Sequence, residues 1–296
     1  MKKKKDTEDI VIDIISYGFM ALFALMTLLP FANIVAKAFS SEAAVVSGKV
    51  GIVPIGFQLD TMKYVLSDAQ FLNSFSVSVL ITVIGTVAGV AFTAASAYPL
   101  SKRHLPGMKF LTLIFVFTMI FNGGMIPTYL LVRNLHLINT VWAMILPGLI
   151  GIYNLLIVKS FYESLPESLE ESARLDGASN LCILLKIVLP LSKSTLATIT
   201  LFIAVTIWND YMTSMLYITK ASLKPLQLYL RDIVTEAANT ATTIGGAGAN
   251  TEELMNVPAE GVRAATIIAA TVPILCVYPF LQKYFIKGVM IGSVKG

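Results

Sequence analysis

Residues 170–190 read EESARLDGASNLCILLKIVLP. Glu170, Glu171, Arg174 and Asp176 crowd together just before Gly177, and an apolar run with the single charge Lys186 follows as far as Pro190. Such a polarity jump around a glycine reads as two short helices joined by a turn. Glycine closes the first helix at little cost in a left-handed cap. Ser179 or Asn180 caps the start of the second, and Pro190 ends it. Upstream, Ser164 and Glu167 have the S-x-x-E spacing of a capping box, with Pro166 suited to the first turn, so the first helix is predicted to start near 165.

The rest of the chain explains why a charged segment stands out. Of 296 residues, 56% are hydrophobic and 14% charged, which is a membrane composition. A spanning helix needs about 20 mostly apolar residues, and windows of that kind predict an all-α membrane protein. Its six spans fall near 12–38, 71–98, 109–131, 141–162, 192–218 and 263–284, within a single transmembrane domain over 1–296. The N-terminal MKKKK and the Ala36-Lys37-Ala38 triplet suggest a signal peptide. The apolar stretch from Ile14 to Ala36 exceeds a signal core of roughly 7–15 residues, so it is read as a retained first span. Cys182 and Cys276 have no CxxC or Cys/His neighbours and read as small apolar residues rather than a metal or redox pair.

Six spans put both termini on one side. Fourteen of the 22 Lys and Arg residues lie on that side, among them Lys2 to Lys5, Lys102, Arg103, Lys159, Arg174 and Lys186. The bias of basic residues predicts cytoplasmic termini, cytoplasmic loops at 99–108 and 163–191, and external segments at 39–70 and 219–262. The external stretch 235–261 is small, polar and Gly-rich, and is expected to be flexible or ordered only by a partner. Gly85, Gly89, Gly123, Gly124, Pro127, Pro147, Pro273 and Pro279 read as helix-disturbing residues inside spans. A broken backbone within a membrane is tolerated where it is buried in protein or lines a wet cavity, so as a set they favour a transport pathway over a passive anchor.

In this frame the second short helix, apolar nearly all round, should lie against the membrane face of the protein while the acidic first helix faces the cytosol. A DNA-reading helix-turn-helix is excluded by charge, because 163–190 holds five acidic residues against Arg174 and Lys186 and phosphate binding needs the opposite sign. A solvated amphipathic linker remains open on physical grounds.

The spacing resembles a known pattern. Glu171-Ser172-Ala173, three residues, Gly177, nine residues and Ile187-Val188-Leu189-Pro190 is similar to the EAA, three, G, nine, I-x-L-P signature of inner-membrane permeases in binding-protein-dependent type I ABC importers, with Ser172 for Ala the one departure. The stretches GGMIPTYLLVRNLHLINTVWAMILP (123–147), IWNDYM (207–212) and YPFLQKYFIKGVMIGSVKG (278–296) resemble the carbohydrate-uptake branch, MalG-like and within it LplC/YtcP-like, associated with oligosaccharides or complex glycans of Gram-positive bacteria.

That resemblance implies a cytoplasmic loop, 163–190, that couples to an ATPase through Glu171 and Gly177, with Ala173, Arg174, Asp176 and Ala178 beside them. It implies a second, homologous permease, two copies of a cytoplasmic ATPase subunit, an extracytoplasmic sugar-binding lipoprotein, an oligosaccharide cargo and membrane lipid as partners, and no nucleic acid. The chain carries no G-x-x-x-x-G-K-[ST] stretch, since Gly48-Lys49 lacks both the upstream Gly and the following hydroxyl residue. ATP and Mg are therefore expected on partner subunits, with no cofactor on this chain and no catalysis by it. The binding protein is expected to meet the segment between Leu223 and Arg263.

For the cargo pathway, Asn122 and Asn209 are expected at a similar depth in the outer half of the membrane. Trp208, Asn209 and Asp210 interrupt an apolar span, and an ionisable group there defaults to the protein interior or a water-filled cavity. An indole face can pack on a sugar ring while amide and carboxylate groups bond hydroxyls; the same tripeptide could instead shape a helix bend. Tyr129, near Asn122, is the remaining candidate. His104 and His136 have no carboxylate nearby in sequence and are not read as metal or catalytic residues. Other readings are a permease for an amino acid or phosphodiester, which would call for a basic cluster absent from the spans, and a membrane-embedded enzyme or scaffold, for which Asp210 has no paired group.

Overall fold

The computed structural model describes residues 7–102, 104–244 and 260–293, without the side chains of 7, 9, 236–244 and 277–293. The regular elements among the described residues are all helices, with no strand. Two compact units divide the chain: Met1–Asp68 with Asp232–Val272, and Ala69–Arg231 with Pro273–Gly296.

The first unit opens with α1 (Thr7–Ala38), 32 residues that continue through Pro30. Only 6% of its most apolar window is buried, so α1 finds almost no cover among the described residues. The chain then folds back in α2 (Glu42–Val46) and α3 (Asp60–Ser67). Ala36, Ala44, Val45 and Val50 make a small core. Polar bonds fix the loops around it: Asn33 Nδ2 donates to the carbonyls of Val50 (3.1 Å) and Gly51 (2.7 Å). The buried Ser40 hydroxyl donates to the Ala36 carbonyl and accepts the Ile55 N–H.

The second unit is built on α4 (Ala69–Leu100). It continues through α5 (Met108–Ile120), α6 (Met125–Asn134), α7 (Val141–Ile145), α8 (Ile152–Glu163) and α9 (Glu167–Leu175). Then come α10 (Asn180–Ile183), α11 (Leu189–Leu191), α12 (Lys193–Asn209) and α13 (Met212–Tyr217). α14 (Leu226–Ile244) and α15 (Glu260–Ser293) complete the described helices. The main core gathers where α4 ends: Ala97, Tyr98 and Leu100 of α4 meet Leu155, Val158 and Tyr162 of α8, Ile183 of α10, the following Leu184 and Val188, and Ile199 and Ile203 of α12.

Two glycines read as helix disturbers do the reverse. α4 runs unbroken past Gly85 and Gly89. A Cβ on Gly85 would stand 2.7 Å from Ile207 Cδ1, and one on Gly89 3.2 Å from the Leu149 carbonyl oxygen. Both admit close approach of other helices, the use that small residues serve in membrane bundles.

Two of the expected helix-disturbing residues, Gly124 and Pro147, do stand at breaks in the candidate spans. α1 and α4 are single helices long and apolar enough to cross a membrane, but three other candidates are bent pairs. α5 and α6 meet at 112°, Val141–Gly148 and Ile152–Glu163 at 52°, and Asn180–Leu191 and Lys193–Asn209 at 83°. The first break follows from Gly124, at φ +97 and ψ 164, which a residue with a Cβ rarely adopts. At the second, Pro147 lies in a 3-10 turn, Leu146–Gly148, that closes α7. Predicted span 263–284 falls within α15, where side chains past 276 lie outside the described residues. So do Lys2 to Lys5, Arg103 and residues 245–259 of the expected flexible loop, whose residues 235–244 form the end of α14.

Candidate functional site

The charged segment forms α9, which begins at Glu167 rather than near 165, and the expected capping box is not made. The Ser164 hydroxyl donates to the Phe161 carbonyl at 2.7 Å, finishing α8 instead of starting α9. Pro166, in extended conformation, occupies the N-cap position.

The end of α9 follows the sequence reading. Gly177 is at φ +81. Its N–H donates to the Arg174 carbonyl at 3.0 Å, and the Ala178 N–H donates to the Ala173 carbonyl at 2.9 Å. This nested pair of bonds is the Schellman cap. Ala173 and Ala178, brought together by it, both pack on the main core. Immediately beyond, the Ser179 hydroxyl accepts the Cys182 N–H at 3.3 Å and caps α10.

The second short helix is not uniform. α10 passes through a π turn, Leu184–Val188, into α11, which carries Pro190. Ile183, Leu184 and Val188 are buried in the main core, while Leu181 and Leu185 are exposed. The segment as a whole is therefore a rigid, doubly capped element whose apolar half is rooted in packed helices.

Its charged half has two faces. Glu171, Leu175, Asp176 and Gly177 are exposed, Leu175 to 89%, and no atom lies within 4 Å of where a Gly177 Cβ would be. Glu170 points the other way and is only 8% exposed. Lys102 Nζ, just past the end of α4, is ion-paired with its Oε1. The Tyr98 hydroxyl donates to its Oε2 at 3.4 Å, and Arg174, one turn along α9, stands 3.7 Å from the same oxygen. Lys102 Nζ also sits 4.7 Å above the Tyr98 ring, a favourable cation–π distance. The expectation that the acidic helix simply faces solvent thus fails at Glu170, which sequence reasoning did not place in the site. The missed signal is the four-residue spacing of Glu170 and Arg174, which sets them on one helix face.

A polar cavity of about 230 Å³ adjoins this cluster, lined among others by Tyr162, Glu163, Glu167, Glu171 and His104. His104 therefore does have carboxylates near it in space.

The proposed pathway residues are held by local bonds. Asn122 Oδ1 accepts the Gly124 N–H at 2.9 Å across the sharp break between α5 and α6. Tyr129 stacks on Tyr217, ring centroids 6.1 Å apart. Trp208 is buried edge-on against Phe75 at 6.1 Å, and its indole N–H has no partner among the described residues. Asn209 Nδ2 donates to the Val205 carbonyl. Asp210 Oδ1 accepts the Thr213 N–H at 3.1 Å, bridging the break between α12 and α13. Trp208 thus packs inward, while Asn209 and Asp210 shape a helix break.

A further polar residue was missed. Asn139, at φ +58, accepts at Oδ1 from the Thr219 N–H (2.7 Å) and the Lys220 N–H (3.1 Å), and donates to the Thr219 hydroxyl (2.9 Å). It pins the 218–220 turn.

Residues 104–291 match the model for the binding-protein-dependent transport system inner membrane component. The chain is 46% identical to protein LplC of Bacillus subtilis over 97% of this chain and 95% of that one. It is 44% identical to the B. subtilis polygalacturonan/rhamnogalacturonan transport system permease protein YtcP, over 96% of this chain and 98% of the relative. A chain in the crystal structure of a bacterial ABC transporter that imports the acidic polysaccharide alginate superposes with TM-score 0.85 at 33% identity, covering 96% of this chain and all of the other.

Proposed function

Because the chain belongs to the family of binding-protein-dependent transport system inner membrane components, we propose that it forms half of an oligosaccharide pathway, driven by a cytoplasmic ATPase that seats on residues 167–178. As a multi-pass permease of an ABC importer it is a transport component rather than an enzyme. The observation that carries the coupling role is the Schellman turn at Gly177. It presents Glu171, Leu175 and Asp176 on an exposed face while Ala173 and Ala178 root the same turn in the core. A rigid element of this kind passes a displacement on, where a flexible linker would absorb it.

In this reading a second, homologous permease supplies the other half of the pathway, two ATPase subunits hydrolyse ATP, and an extracytoplasmic binding protein delivers cargo near 223–263. Both termini are cytoplasmic. The relatives named for polygalacturonan, rhamnogalacturonan and alginate make fragments of acidic polysaccharides the first cargo to test. Asn122, Tyr129, Asn209 and Asp210 lie along the route, with Trp208 as packing behind it.

The test is coexpression with the neighbouring permease, ATPase and binding-protein genes, followed by purification and an ATPase assay with oligogalacturonate, alginate and malto-oligosaccharide fragments. The ATPase subunit is expected to copurify and one oligosaccharide class to stimulate hydrolysis. A complex lacking the ATPase subunit, or one stimulated only by an amino acid or phosphodiester, would refute the reading.

A further inference from the structure

α4 is tied at both ends by side chains to segments far away in sequence. At its C-terminal end, Tyr98 and Lys102 hold the buried carboxylate of Glu170 on α9. At its N-terminal end, Gln70 Nε2 donates to the Ala221 carbonyl at 3.0 Å and Asn73 Nδ2 to the Ser222 carbonyl at 3.1 Å. The buried Ser78 hydroxyl accepts the Leu226 N–H at 2.7 Å. From end to end α4, which carries these ties, is 32 unbroken residues, about 48 Å at 1.5 Å per residue, long enough to join the two faces of a membrane. Gly85 and Gly89 let it lie against Ile203 and Ile207 of α12 without a side chain between.

We propose that α4 is the rod that links the ATPase-facing helix α9 to the 221–226 segment on the opposite face, and that the Lys102–Glu170 pair is its attachment at the α9 end. Glu170 is then a positioning residue and not a docking residue. Its carboxylate is turned away from the exposed face of α9 and buried between Lys102, Tyr98 and Arg174, whereas its neighbour Glu171 is exposed. An ion pair suits this task, because pulling one partner away leaves the other as an uncompensated buried charge. At the far end, three side chains grip backbone groups rather than other side chains, so motion of α4 moves the chain path itself. This inference rests on the reading that α9 seats on an ATPase.

The experiment uses the assembled complex in lipid nanodiscs and follows hydrogen exchange of residues 218–226 with and without ATP and vanadate. In the unmodified complex, nucleotide changes exchange in this segment. In Glu170→Gln, and separately in Lys102→Gln, the ATPase subunit still copurifies in equal amount, but the nucleotide-dependent change falls by about fivefold or more, at the lower edge of usual coupling between sites. The charge exchange, Lys102→Glu with Glu170→Lys, restores most of it, which a merely misfolded variant would not. The proposal is overturned if either single variant keeps the full response, or if Glu170→Gln releases the ATPase subunit, which would make Glu170 a docking residue. Failure of the unmodified complex to hold an ATPase subunit would instead refute the proposed function itself.

Discussion

Gly89 of α4 lies so close beneath the backbone of Leu149 that a Cβ added to it would stand 3.2 Å from the Leu149 carbonyl oxygen. A Cβ on Gly85, one turn earlier, would crowd the tip of the Ile207 side chain at 2.7 Å and meet Ile145 only at an ordinary 3.6 Å. The shorter distance is the easier one to relieve, because a terminal methyl can rotate away and a backbone carbonyl cannot. Gly89→Ala should therefore lower the melting temperature of the purified complex more than Gly85→Ala. Overpacking of this kind costs about 1–3 kcal/mol. Equal shifts, or the reverse order, would show that α4 and the 146–149 turn can separate.

At Gly177 the expected effect is conformational and not steric. No atom of the chain lies within 4 Å of the missing Cβ, but φ is +81. Gly177→Ala should cost about 1–2 kcal/mol for a left-handed residue while the protein still folds and inserts, and Gly177→Asn should cost less. Both add bulk on the exposed face, so copurification of the ATPase subunit should weaken with side-chain size. Unchanged copurification with Gly177→Leu would place the docking surface elsewhere.

Asn139 combines a left-handed backbone with bonds to Thr219 and Lys220. Asn139→Gly relieves the backbone and removes the bonds, while Asn139→Asp keeps the acceptor. Each lost bond is worth about 1 kcal/mol net, so limited proteolysis near 218–220 should accelerate in the Gly variant and much less in the Asp variant. Equal acceleration in both would assign the effect to the donated bond to the Thr219 hydroxyl.

Asp210 and Trp208 can be separated by conservative changes. Asp210→Ala removes the bond to the Thr213 N–H, a loss of about 0.5–2 kcal/mol for a helix cap, and Asp210→Asn retains an acceptor. Uptake of oligogalacturonate that survives Asp210→Asn and drops in Asp210→Ala in step with stability marks a cap. Uptake lost in both marks contact with cargo. Trp208→Phe keeps an aromatic ring against Phe75 and removes part of a buried indole with an N–H that finds no partner among the described residues, so it should lower stability modestly and leave uptake unchanged.

Features that depend on a few adjacent residues were readable from the sequence. The Gly177 cap, the Ser179 cap and the helical class follow from local chemistry, and the spacing on to Ile187-Val188-Leu189-Pro190 carried the family. What depended on distant partners was not. Glu170 looked like one more solvent-facing acid because its counter-charge, Lys102, is 68 residues away. Gly85 and Gly89 looked like weak points because the helices they admit lie elsewhere in the chain. The capping box failed for a local reason, since Ser164 was already committed to closing α8 through the Phe161 carbonyl.

The π turn at Leu184–Val188 gives the motif's spacing a mechanical meaning. In a uniform α-helix, residues five apart are rotated by about 140° from one another, so Ile183 and Val188 could not both face one core. Widening a single turn to i→i+5 closure brings both to full burial. The nine residues after Gly177 thus hold one residue more than a regular helix needs: removing one inside the turn would set Ile183 and Val188 four apart, about 40° from each other, on one face of an ordinary helix.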